Sequence, residues 1–198
     1  MIALILVNKG ETYEMKFIRN FLVLSIAILG LTFLDVNAQG FSGSRNSVRS
    51  IERNVFKQIN KLPFYGVFDS ISFRVDGNTV YLMGKVTQPI TRKSAERVVE
   101  KIAGVENVVN NIEVLPLSNF DDLIRLRTLR TLQNGGSLYR YFLGANPSVK
   151  IIVDRGNVTL EGFIANRGDY NLANILTRGV PGVFSVRNNL VIEKEMIR

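Results

Sequence analysis

The sequence predicts an α+β protein made of two tandem α-β-β-α-β units. Three observations carry this. The chain repeats itself, without gaps, at an offset of 78 residues. Within each copy, stretches of helical apolar period alternate with stretches of period two. Turn-forming residues punctuate both copies at matching places.

The repeat comes first, because a fixed period determines how everything else is read. Phe73 to Gly84 aligns with Ile151 to Gly162, and Gly104 to Ile112 aligns with Gly182 to Leu190. Phe64 and Gly66 fall on Phe142 and Gly144. The join is expected near Pro116-Leu117-Ser118, where turn formers interrupt the pattern.

In the first copy, Asn46 to Lys61 reads as an amphipathic helix, with Val48, Ile51, Val55, Ile59 and Leu62 at helical spacing and Pro63 as its stop. Ile71, Phe73 and Val75 alternate with Ser72, Arg74 and Asp76, as in a half-buried strand. Asp76-Gly77-Asn78 supplies a hairpin turn. Val80 to Val86 returns. Pro89 opens a second helix with Ala95, Val98, Val99 and Ile102 on its apolar face, and Gly104 is its expected stop. Val108 to Val114 is a third strand. The second copy repeats the order over Asp121–Gln133, Val149–Asp154, Asn157–Ile164, Arg167–Arg178 and Phe184–Ile192. Its first helix is expected to be weaker, because Asn134-Gly135-Gly136 breaks it early. Each unit is small for a lone core, so the two are expected to share a stabilising interface.

Ahead of the repeats lies a targeting pattern. Met15 to Arg19 is a short basic stretch, Phe21 to Leu34 is apolar, and Val36-Asn37-Ala38 is a small-residue cleavage site. We expect a signal segment over residues 1–38, with a true start at Met15 and cleavage before Gln39. Gly40 to Ser44 reads as a flexible tether. The apolar run is short for a membrane span, which needs ~20 residues.

The chain has 198 residues, a formal charge of +8 and neither Cys nor His. Disulfides, thiol nucleophiles and thiolate metal sites are therefore excluded, and so are the commonest general base and metal ligand. The acidic residues are scattered, so no paired-carboxylate site is expected. We expect no enzyme, no cofactor and no metal. Residues 1–38 contain three basic and three acidic residues, so the charge of +8 survives their removal. A basic exported chain points to anionic phospholipid head groups or acidic envelope proteins rather than nucleic acid. The pattern does not fix oligomeric state or strand order.

The sharpest surface signal is a ladder, Arg45, Arg49, Arg53, Lys57 and Lys61, at intervals of four beside the apolar stripe of the first helix. A basic face next to apolar residues suits a membrane-surface helix, and it also suits an ordinary solvated face. In the second copy Arg125, Arg127 and Arg130 precede Leu138-Tyr139-Arg140-Tyr141-Phe142. Tyr139, Arg140 and Tyr141 fit a lipid interface; Tyr141 and Phe142 also fit a core or a domain interface. Gly84 and Gly162, inside the return strands, indicate close packing of the first helix or a bulge. Asp76, Gly77, Gly104, Asp154, Gly156 and Gly182 read as residues that shape turns.

The repeated unit resembles the BON domain, found in OsmY-like periplasmic proteins and other envelope and transport-associated proteins. The resemblance rests on Asp76, Gly77, Val80, Leu82, Gly84, Ala95, Gly104, Val105, Val108 and Asn110. In the second copy it rests on Asp154, Gly156, Val158, Leu160, Gly162, Ala173, Gly182, Val183, Val186 and Asn188. It implies two domains, over 45–116 and 117–195, each with a three-stranded mixed sheet packed against two helices. It also implies a non-catalytic periplasmic role: binding phospholipid, supporting envelope integrity under osmotic stress, or acting as a chaperone or scaffold for exported proteins. The second copy departs at Arg155, which stands where the first has Gly77; its glycine comes one place later, shifting the hairpin turn.

Overall fold

The computed structural model describes residues 38–193, with side chains from residue 47 onward. The expected signal segment and the side chain of Arg45 lie outside the described residues.

The element order is α1 (Ala38–Ile59), β1 (Ser70–Asp76), β2 (Thr79–Val86), α2 (Pro89–Glu100) and β3 (Asn107–Val114), then α3 (Asn119–Gln133), a 3-10 helix (Gly136–Phe142), β4 (Val149–Asp154), β5 (Asn157–Ile164), α4 (Arg167–Arg178) and β6 (Ser185–Ile192). The 39–44 stretch, expected as a tether, carries helical backbone as the start of α1. The helix stops at Ile59, four residues before Pro63. Turn hydrogen bonds from the N–H groups of Lys61 and Leu62 to the carbonyls of Gln58 and Ile59 take over there.

Each sheet has three strands, ordered β1-β2-β3 and β4-β5-β6. The hairpin pairs are antiparallel, and the third strand joins parallel through the intervening helix. This is the mixed α+β arrangement expected for both copies. Apolar residues gather between helices and sheet: Ile51, Val55, Leu82 and Val99 in the first core, Ile124, Leu132, Ile151 and Leu160 in the second.

Gly84 and Gly162 occupy equivalent places, with φ of 123° and 113°. A Cβ on either would lie within 2.1 or 1.9 Å of the carbonyl oxygen of Ser70 or Ser148. The close approach thus comes from the neighbouring strand rather than from the first helix. Gly104 lies beyond the end of α2, in the turn into β3, where it faces Ile51. The two hairpins turn differently. Gly77 alone has positive φ in the first, whereas Arg155 and Gly156 both do in the second, the pattern of a type I′ turn.

The domains meet through the helix-free faces of their sheets and through the Gly66–Asp69 connection. Val67 and Phe68 pack against the second core. Lys150, almost fully buried, donates to the Gly66 carbonyl at 3.1 Å and lies 4.5 Å from the Tyr65 ring centre.

Candidate functional site

Helix α1 sorts its residues by period. Ile51, Val55 and Ile59 are buried, which leaves Arg49, Arg53, Lys57 and Lys61 exposed. No ion pair ties up any of these four among the described residues. Phe56 lies between Arg53 and Lys57 in sequence and is 63% exposed.

Helix α3 begins at Ser118, whose Oγ accepts from the Asp121 N–H at 3.2 Å, and Asp121 and Asp122 lie in its first turn, where the helix dipole favours negative charge. Asp121, Ile124, Arg125, Thr128 and Leu132 form its buried face. Arg127 and Arg130 point outward with Phe120, Leu123 and Leu126, three large apolar side chains each 44 to 50% exposed. A helix apolar on both faces, with one face open to solvent, marks an interaction surface. The outward apolar set was missed in the sequence. Its signal was there: Leu123 and Leu126 lie off the buried positions Asp121, Ile124, Arg125, Thr128 and Leu132.

Two residues expected on that surface are not there. Arg125 is buried, donates from Nη2 to the Val153 carbonyl at 2.7 Å, and bonds Asp122 through Nη1. Its spacing from Asp121, Thr128 and Leu132 turns it inward. Tyr141 is buried too: its hydroxyl donates to Asp169 at 2.7 Å and accepts from the Ala165 N–H at 2.9 Å. Arg140 pairs with the same Asp169 and lies over the Tyr141 ring, so it belongs to this network. Burial alone would raise the Asp169 pKa, but hydrogen bonds from Ser137, Tyr141 and Arg140 hold its carboxyl below the ordinary value. Tyr139 remains exposed at 55%, and Phe142 joins the core.

Between the sheets lies an open polar cleft of about 560 Å³. Across it, Lys85 Nζ lies 2.6 Å from Asp154 and 3.4 Å from Glu113, and the Ser70 hydroxyl donates to Glu161 at 2.5 Å. The Lys85 bond lowers the Asp154 pKa and raises that of Lys85. The Lys85–Asp154 and Ser70–Glu161 pairs join the domains. No group of three or more acids able to hold a metal occurs among the described residues. No described helix is long and apolar enough to cross a membrane.

Two mixed αββαβ units, each a three-stranded sheet packed against helices, define a class of small, repeated α+β domains. Residues 47–116 and 138–194 each match the BON domain family model, and the chain belongs to that family of non-catalytic domains. No curated protein matches the sequence. Among solved structures, the chain is similar to the C-terminal domain of CdsD, a structural protein of the type III secretion system of Chlamydia trachomatis. The identity is 14% and the TM-score 0.30, with 76% of this chain and 66% of that one covered. A second CdsD structure aligns at 12% identity and TM-score 0.30, over 74% of this chain and 95% of that one. Overlaps at that score carry no conclusion about role.

Proposed function

We propose that the mature chain, beginning at Gln39, works in the periplasm as a non-catalytic protein that engages anionic phospholipid surfaces and supports envelope integrity under osmotic stress. One observation carries this reading: Arg49, Arg53, Lys57 and Lys61 form an exposed basic face on α1, with Glu52 the one acid beside it and no ion pair to any of the four among the described residues. The outward face of α3 adds Arg127 and Arg130 beside Leu123 and Leu126. A basic residue near an anionic surface contributes ~1 kcal/mol, so four give about 4 kcal/mol, enough for reversible association and too little for an anchor. Apolar side chains entering the interface add a component that salt does not screen.

Co-sedimentation with phosphatidylglycerol vesicles tests this. Binding should fall as salt rises. It should also drop at least tenfold when Arg49, Arg53 and Lys57 are all changed to Glu, three solvent-facing sites whose replacement leaves the core intact. Equal binding to neutral vesicles, or a triple variant that binds as well as the parent, would overturn the reading.

A further inference from the structure

The two copies share a fold, but their sheet edges are treated differently. In the second sheet one edge strand, β4, is covered. The Ile151 N–H donates to the Val67 carbonyl at 2.8 Å, Lys150 grips the Gly66 carbonyl, and Val67 and Phe68 pack into the core alongside. A turn of the first domain, Gly66 to Asp69, thus covers this edge and supplies one backbone acceptor to it, which satisfies an otherwise open sheet edge. Ile151 and Val153 beneath it have no exposure.

Strand β1 is the same strand in the first copy. Phe73 pairs with Leu82 as Ile151 pairs with Leu160, so its N–H points to the same outer side. That N–H has no backbone partner among the described residues. The neighbouring Ile71 N–H is taken by the Tyr65 hydroxyl at 3.3 Å. Ile71, Phe73 and Val75 are only half-buried, where Val149, Ile151 and Val153 are buried.

An apolar groove of about 580 Å³ follows this edge. Phe56 and Ile59 of α1, Ile71 and Phe73 of β1, and Phe163 and Val191 of the second sheet line it. Phe56 and Phe163 are 63% and 45% exposed. Its walls continue into the domain interface through Tyr65 and Lys150, the two residues that hold the covering segment on β4.

We infer that this groove takes an extended segment of another polypeptide, one with adjacent apolar residues. The segment adds to β1 by accepting the Phe73 N–H, as the Val67 carbonyl accepts from Ile151 on β4, and seats its side chains between Phe56 and Phe163. The occupied edge supplies the chemistry of the ligand: a residue with a free carbonyl, flanked by side chains of Val and Phe size. Backbone bonding gives such a site affinity for many sequences, and the groove selects apolar ones. This inference is independent of the membrane reading, and its test contains no lipid.

The probe is a fluorescein-labelled peptide with the sequence of residues 63–70, titrated with the full mature chain and followed by anisotropy. Saturable binding is expected, weakened tenfold or more when Asp replaces the peptide residues that correspond to Val67 and Phe68. Phe56→Lys with Phe163→Lys in the protein should weaken it as much, and the circular dichroism spectrum should not change, because both side chains are largely exposed. Hydrogen exchange at the Phe73 amide should slow tenfold or more in the complex. At Ile151 it should not change, because that N–H keeps its tethered partner. Absence of saturable binding, or binding with unchanged Phe73 exchange, would overturn the proposal. So would a concentration-dependent dimer, seen by sedimentation velocity and lost in Phe56→Lys, which would make a second copy the occupant.

Discussion

At Asp121, one carboxylate closes a hairpin that belongs to a different element. The side chain is buried, and its two oxygens accept from the N–H groups of Arg155 and Gly156 at 2.9 and 2.8 Å. Arg155 has φ of 52°, a region that costs a non-glycine residue about 1 kcal/mol or more. In the first copy Gly77 stands in place of Arg155, and because Ile51 faces Gly104 as Ile124 faces Gly182, Val48 stands in place of Asp121. The first copy thus needs no clamp where glycine turns freely. Asp121→Ala should lower stability by about 3 kcal/mol, since two turn N–H groups lose their acceptor, and urea unfolding would measure this. Lys150 is a second such residue. Burial pushes its pKa down to about 8, although Asp69 opposes the shift. Below pH 8 the folded and unfolded chains both hold the proton, and the cost of burying the charge is present in full. Between about 8 and the ordinary lysine value near 10.4, the unfolded chain binds more protons, so stability rises with pH. Urea midpoints of the parent, measured against Lys150→Met to cancel other groups, should therefore rise across that window; a flat difference would contradict the burial. Arg125 shows why the site was only partly legible in sequence. Grouping arginines by charge put it with Arg127 and Arg130, whereas its helical spacing from Asp121, Thr128 and Leu132 turns it inward.

Among elements, the informative one has no regular structure. Gly66 to Asp69 carries neither helical nor strand period, so nothing in the sequence pairs it with a strand about 80 residues away. Asp69 fixes it from within: Oδ2 accepts from the Gly66 N–H at 3.1 Å, and Oδ1 accepts from the Thr87 N–H at 2.6 Å. The helices and strands were legible because each needs one apolar face, and period alone reveals that. Helix ends were less so: α1 stops before Pro63 because the chain must turn to bring Val67 onto β4. Replacing both Val67 and Phe68 with Asp removes apolar burial from the second core and puts charge there. Stability of the second domain should fall by about 3 kcal/mol or more. The first domain's own core lacks these residues, so its transition should move less and a single unfolding transition should split in two. Calorimetry reads the outcome, and one unchanged transition would contradict the coupling.

At the scale of the whole molecule, the 78-residue repeat made two superposable domains legible, down to the matched Gly84 and Gly162. Their mutual fit was not legible, because it depends on the short bonds Lys85–Asp154 and Ser70–Glu161 between outward-facing residues whose pairing no period encodes. The arrangement turns the helix-free sheet faces toward each other and leaves the basic face of α1 and the outward face of α3 in solvent. That division of surfaces underlies the proposed membrane role. Its most direct test is residue-resolved nuclear magnetic resonance of the mature chain with phosphatidylglycerol nanodiscs. The account predicts that signals of Arg49, Arg53, Lys57, Lys61, Leu123, Leu126, Arg127 and Arg130 broaden, that those of Ser70, Asp154 and Glu161 do not, and that the effect weakens with salt. Uniform broadening, broadening confined to the sheets, or the same response to phosphatidylcholine would contradict it.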